Sequence, residues 1–231
     1  MYDNPRASPR IWQPDWLVLR EMAKAIRSLL ADPALRLQGA RVLDFGCGSR
    51  PYENWFAGAG AQYRGADIDG GHEVRIDAQG TLACRDAEYD LVASFQVLEH
   101  VWDVAGYLGE ARRVLRADGW LLLSTHGTWL YHPHPHDYRR WTADGLRREV
   151  EAQGFSLIRM EPVVGPLAWT TVFRSLGMAH FLKKLPFVGL PLSGIAAVAF
   201  NARAWLEDRA TPREITANNA CTYVALFRRA S

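Results

Sequence analysis

Cysteine is scarce in this chain: its 231 residues include three, Cys47, Cys84 and Cys221. Odd in number and far apart, they argue against a disulfide framework and fit a reducing compartment. None stands in CxxC spacing, which argues against a cysteine zinc site. A surplus of one charge is also lacking. Lys and Arg number 27 against 25 Asp and Glu, a formal net charge of +2, and the two signs are interspersed. That pattern gives little support to a nucleic-acid partner, and none is expected. No apolar run reaches the roughly 20 residues of a membrane span. The polar opening Met1-Tyr2-Asp3-Asn4-Pro5-Arg6 has no apolar stretch of the signal-peptide kind. A cytoplasmic protein is the expectation.

What is present is a core. Hydrophobic residues make up 48% and charged residues 23%, the profile of one globular α/β domain over residues 1–231. Pro5, Pro9 and Pro14 hold an arm out of regular structure. Leu19, Met22, Ala23, Ile26, Leu29 and Leu30 then recur at helical spacing up to Pro33, so residues 1–38 read as an arm and a helix. Short apolar runs follow over 41–45, 63–67, 73–77, 89–95, 120–124, 155–163 and 221–227, and each predicts a strand. Helices are predicted from Val104 to a stop at Asp118-Gly119 and from a Thr142 cap to Glu151. The alternation predicts a three-layer α/β/α Rossmann-like sheet of seven mainly parallel strands, with 39–163 as the ligand-binding core.

The most informative segment is Val42-Leu43-Asp44-Phe45-Gly46-Cys47-Gly48. A buried strand ends in an acid and enters a turn whose glycines let a ligand approach the backbone. Asp67 closes the second strand roughly 20 residues later, where a carboxylate can accept both hydroxyls of a ribose. Asp77 closes the third, where it could bond an exocyclic adenine amine, and Phe95 closes the fourth, where a purine could stack. A nicotinamide dehydrogenase would carry a third glycine where Pro51 stands. Asp44 beside the turn would repel a pyrophosphate but suits an ammonium group.

These motifs, VLDFGCG, GADI, EYDLV and VLEHV, followed by RRVLRADGWLLLS, resemble the class I S-adenosylmethionine-dependent methyltransferases over about 41–160. The resemblance implies S-adenosylmethionine as cofactor. It puts Asp44, Gly46, Cys47 and Gly48 at the methionine end, Asp67 with Ile68 at the ribose, and Asp77, Ala78, Phe95 and Gln96 around the adenine. Only residues 68–72 join the second and third strands, too few for the usual crossover helix, so the adenine side should be more open.

Two constellations face the acceptor. In Gln96-Val97-Leu98-Glu99-His100, quinone-type O-methyltransferases of similar sequence carry Glu at the first position and hold a divalent metal. Gln96 is a weaker ligand for a hard cation, and no metal is expected. The second, His132-Pro133-His134-Pro135-His136-Asp137-Tyr138-Arg139-Arg140-Trp141-Thr142, resembles the HPxPxDYxR(F/W)T element of methyltransferases from sugar, polysaccharide and secondary-metabolite pathways. Its candidate catalytic residues are His132 as general base, with Asp137, Tyr138 and Arg140. The competing reading is that Asp137 and Arg140 pair to brace the loop.

The expectation is O-methylation of a small molecule or saccharide. N-methylation and a non-catalytic S-adenosylmethionine-binding protein are the alternatives. Residues 164–215 stand apart as an apolar helical insertion before the last strand at 216–231. Three roles are open for 164–200: a lid, a homodimer interface, or a peripheral contact with membrane or a lipid-linked acceptor.

Overall fold

The computed structural model describes residues 4–230. One sheet is ordered β3-β2-β1-β4-β5-β7-β6, built from β1 (Arg41–Phe45), β2 (Gln62–Asp67), β3 (Val74–Arg75), β4 (Tyr89–Phe95), β5 (Leu115–His126), β6 (Phe155–Val163) and β7 (Thr222–Arg229). β1 pairs in parallel with β2 and β4, β2 with β3 and β4 with β5, while β7 runs antiparallel to β5 and β6. The expected seven-stranded Rossmann-like sheet with an antiparallel last strand is therefore present.

Why the strand runs are so uniformly apolar is visible in the packing. Successive side chains on a strand point to opposite faces, and here both faces are covered. Leu43, Val92, Leu121 and Phe227 join one core cluster with Leu108 and Ala111 of α3 (Val104–Val114) and Leu146 and Val150 of α4 (Ala143–Glu151). Val42, Leu91, Leu122 and Leu226 join the other. Its helical members include Leu17 and Ile26 of α1 (Trp16–Leu30), Phe56 of α2 (Glu53–Gly58) and Val172 of α5 (Pro166–Leu182). The Thr142 hydroxyl accepts the Gly145 N–H at 3.0 Å and so caps α4.

Several boundaries moved. α3 stops at Val114, short of Asp118-Gly119, because Leu115 already pairs with Tyr89 across the sheet. β3 contracts to Val74–Arg75, which leaves Asp77 in the following loop. No helix stands between β2 and β3, in keeping with their short connection over 68–73. α2 was not foreseen; at six residues it is too short to show a helical period.

The insertion is a pair of helices, α5 and α6 (Gly189–Ala210), packed on one another, then α7 (Arg213–Asn218). Asn201, fully buried on α6, donates from Nδ2 to the Ile11 carbonyl at 2.7 Å and the Gln13 carbonyl at 2.8 Å. This clasp fixes the N-terminal arm. Asn201→Ala strands both carbonyls and is expected to cost about 1–3 kcal/mol. Urea denaturation reads the loss, and faster tryptic cleavage at Arg6 and Arg10 reads the freed arm.

Candidate active site

The chain leaves β1 and β4 toward opposite sides of the sheet, and the carboxyl ends of the strands open a crevice there. It holds a cavity of about 1440 Å³, above the roughly 300–1,000 Å³ of most small-molecule pockets. Nine of the ten residues expected at the cofactor line it: Asp44, Gly46, Cys47, Gly48, Asp67, Ile68, Ala78, Phe95 and Gln96.

Asp44 is 1% exposed. Tyr63 Oη donates to its Oδ2 at 2.6 Å, while Oδ1 is buried with no partner among the described residues. Burial, opposed by the Tyr63 hydrogen bond, pushes its carboxyl up to about 7. An unpartnered buried acceptor on a cavity wall is a site for a donor that the protein does not itself supply. The turn beside it needs its glycines. Gly46 has φ +83°, and a Cβ there would sit 2.4 Å from Val97 Cγ2; Gly48 has φ +48°. The Gly48 N–H donates to Asp67 Oδ2 at 2.8 Å, which ties the turn to the end of β2. Cys47 also lines the cavity, but burial pushes its thiol up to about 12, so it is no thiolate nucleophile.

Phe95 meets Tyr52 edge-on at 4.8 Å. Gln96 follows in the left-handed region at φ +57°. Strain of that kind gathers where a fold positions a site. Its N–H donates to the Ser124 carbonyl at 2.9 Å and its side-chain amide to Ser124 Oγ at 3.0 Å.

Asp77 is the departure. Its Oδ1 accepts the N–H groups of Gln79 at 2.9 Å and Thr81 at 2.8 Å. With β3 so short, the carboxylate folds into its own loop, and Ile76, Ala78, Gln79, Gly80 and Thr81 take its place on the wall.

On the opposite wall stand His126, Trp129, His132 and His134. Asp137 and Arg140 do not line the cavity. Arg140 grips Asp137 with both terminal nitrogens, at 2.5 and 2.7 Å, and donates to the Leu130 carbonyl at 2.9 Å. Asp137 Oδ2 accepts the His132 N–H at 2.9 Å. The guanidinium holds this carboxyl well below the usual range. The two residues brace the loop, as the competing reading had it. Tyr138 is exposed, packs edge-on against Trp102 at 5.2 Å, and anchors the loop by donating its N–H to the Glu99 carbonyl.

His132 is what the brace presents. Its Nδ1 lies 3.1 Å from the Leu130 carbonyl and 3.3 Å from Asp137 Oδ2. Both are acceptors, so the network assigns the proton to Nδ1 and leaves a lone pair on Nε2. Burial lowers the imidazole pKa below 6.5, keeping it neutral near pH 7.

Sequence reasoning weighed Glu99 for a metal and missed its burial beside His126 and His132. It is fully buried, and Oε2 accepts from Thr125 Oγ1 at 2.8 Å while Oε1 lies 3.4 Å from His126 Nε2. Burial pushes its carboxyl up to about 7. Glu99, His100 and His132 each bring one donor atom within 4.8 Å of the others, an arrangement that could accept a cation. Only its place after β4 hinted at this, because His132 comes from a distant loop. Arg6, Gln13 and Asp15 also line the cavity, so the arm forms a wall of the site.

A family model described as a methyltransferase domain matches residues 18–160, well over half of the chain. The chain belongs to that family, and its fold is that of the class I S-adenosylmethionine-dependent methyltransferases. A protein of Mycolicibacterium smegmatis named as a probable S-adenosylmethionine-dependent methyltransferase is 31% identical over 164 residues, 64% of this chain and 60% of that protein. A ubiquinone biosynthesis O-methyltransferase of Thiobacillus denitrificans is 29% identical over 134 residues, 50% of this chain and 57% of that one. The chain thus spans about three fifths of the length of these relatives. Among solved structures, an S-adenosylmethionine-dependent methyltransferase from Mesorhizobium loti superposes with TM-score 0.56 at 17% identity, covering 90% of this chain and 98% of that one. The [4+2]-cyclase SpnF superposes with TM-score 0.58 at 18% identity, covering 90% and 81%.

The Asp44 carboxyl titrates higher in the folded chain than its ordinary 3.8. The folded state therefore holds a proton that the unfolded chain releases. The stability this gives is complete below the ordinary value and is lost as pH rises through about 7. Asp44→Asn removes that loss. It is expected to raise the urea midpoint at about pH 8 and to change it little at about pH 4. Equal shifts at both pH values would contradict the raised pKa.

Proposed function

We propose that the chain binds S-adenosylmethionine in this cavity and transfers its methyl group to an oxygen of a small molecule or saccharide, in the reducing setting that its few free cysteines suit. The observation that carries this reading is one continuous cavity. It has the partnerless Asp44 oxygen and the Asp67 carboxylate on one side and the neutral His132 on the other. When bound, S-adenosylmethionine supplies a methyl group already activated by its sulfonium.

The residues present fit that cofactor. Asp44 Oδ1 lacks a donor, and the ammonium of the methionyl end is one, in reach of the Gly46-Cys47-Gly48 turn. Asp67 spends Oδ2 on the Gly48 N–H and has acceptor capacity left for ribose hydroxyls. Ile68 flanks the ribose and Ala78, Phe95 and Gln96 wall the adenine, while Asp77 shapes the loop that presents Ala78. His132 Nε2 takes the proton from the acceptor. Asp137 and Arg140 act as positioning residues by fixing His132, and Tyr138 anchors their loop. The HPxPxDYxR(F/W)T element supports a sugar-like or secondary-metabolite acceptor.

Calorimetric titration with S-adenosylhomocysteine is expected to show binding with a micromolar Kd. Asp67→Ala should weaken it about tenfold, the loss of one hydrogen bond; no binding to the folded protein would overturn the reading. With a working acceptor, His132→Ala should lower kcat by about 10²–10⁴ while product affinity stays put. Turnover is expected to survive EDTA. A loss restored by added divalent cation would reassign Glu99, His100 and His132 to a metal.

A further inference from the structure

The insertion carries a surface that neither the sheet nor the cavity uses. Residues 162–206 contain no Asp or Glu, although the chain holds 25 among 231. The charges of that stretch are Arg174, Lys183, Lys184 and Arg203, all positive. The two lysines sit where α5 gives way to α6, among Phe181 at 62% exposure, Phe187 at 101%, Val188 at 51% and Leu190 at 74%. Phe187 has φ +61°, a conformation rare for a residue with a Cβ. A wholly exposed aromatic in that region draws no packing from its own fold.

We propose that this tip docks on an anionic membrane surface. Apolar exposure on this scale marks an interaction site, and the charge decides its partner. A second copy of the same tip would bring Lys183 and Lys184 against their own like. Nucleic acid would answer the charge but offers no apolar phase for the phenyl and leucyl side chains. Anionic headgroups above acyl chains answer both, with the lysines at headgroup level and Phe187 and Leu190 beneath. No helix among the described residues is long and apolar enough to cross a membrane, so the tip lies on the bilayer.

The same helices back two of the segments that line the proposed active site. Phe173 of α5 meets Trp129 edge-on at 5.6 Å, and Trp129 lines the cavity. Asn201 of α6 holds Gln13, another lining residue.

The test is co-sedimentation of the full chain with phosphatidylcholine vesicles, with and without about one third phosphatidylglycerol. Binding to the anionic vesicles alone, weakened by salt, is expected. Lys183→Ala with Lys184→Ala should weaken it about thirtyfold, at about 1 kcal/mol per lysine. Phe187→Ser with Leu190→Ser should weaken it about tenfold or more. S-adenosylhomocysteine affinity, unchanged in both double variants, confirms that they fold and separates this proposal from the cofactor reading. Absence of anionic-vesicle binding, or binding that both double variants retain, overturns the proposal. So does a dimer in sedimentation equilibrium that Phe187→Ser with Leu190→Ser dissolves.

Discussion

The Asp44 carboxylate is the constraint around which the site is built. It stands at the end of β1, the strand from which the sheet order runs outward in both directions. The Tyr63 hydroxyl holds one of its oxygens and the other has no partner among the described residues. A buried carboxylate in that state is expensive, and the chain meets the expense by keeping a proton on it up to about pH 7. A fold selected for stability alone would replace it with an apolar residue, since Val42, Leu43 and Phe45 beside it are all buried. The ammonium group of the proposed cofactor would supply the donor that this carboxylate oxygen lacks. The glycine turn beside it is constrained as well, because Val97 approaches Gly46 too closely for a Cβ.

The opposite wall follows a different economy. Arg140 and Asp137 form a bidentate pair whose remaining hydrogen bonds all go to the loop itself. Charges so thoroughly partnered have little capacity left for a substrate, and their worth lies in fixing a segment without regular structure. The result is a histidine with one nitrogen committed and the other free, made neutral by its surroundings. Catalytic potential and structural bracing thus fall on different residues of one motif.

How much of this could be read from the chain depends on how local each signal is. β1, β4 and β5 were legible because strands covered on both faces must be apolar throughout, and few other contexts leave such runs. Asp44, Asp67 and Phe95 were legible because each ends a strand on the sheet edge where ligands bind. Asp77 misled for the same reason: the rule assumes a strand that reaches its acid, and β3 ends two residues earlier, at Arg75. Glu99 meets His126 and His132 only in three dimensions, across more than 20 residues of sequence. No spacing rule reports such a cluster. The pairing of Asp137 with Arg140 lay within reach, because three residues separate them in a loop, but their separation alone could not decide between bracing and chemistry.

The acceptor side of the cavity is assembled from the parts of the chain that the sheet does not dictate. Arg6, Gln13 and Asp15 come from the arm and the start of α1, Trp129 and His132 from the loop after β5. Both segments are held in part from outside themselves. Asn201 of α6 clamps the first, and Phe173 of α5 packs against the second. The α5–α6 pair therefore sets the shape of the acceptor pocket without supplying much of its lining. A change in that hairpin can alter which acceptor fits while every strand-end residue stays where it is. Motifs of the cofactor side carry no information about this coupling, because their geometry is complete by the end of β4. In the proposed function, the choice of acceptor then depends on how the insertion packs on the arm and the loop.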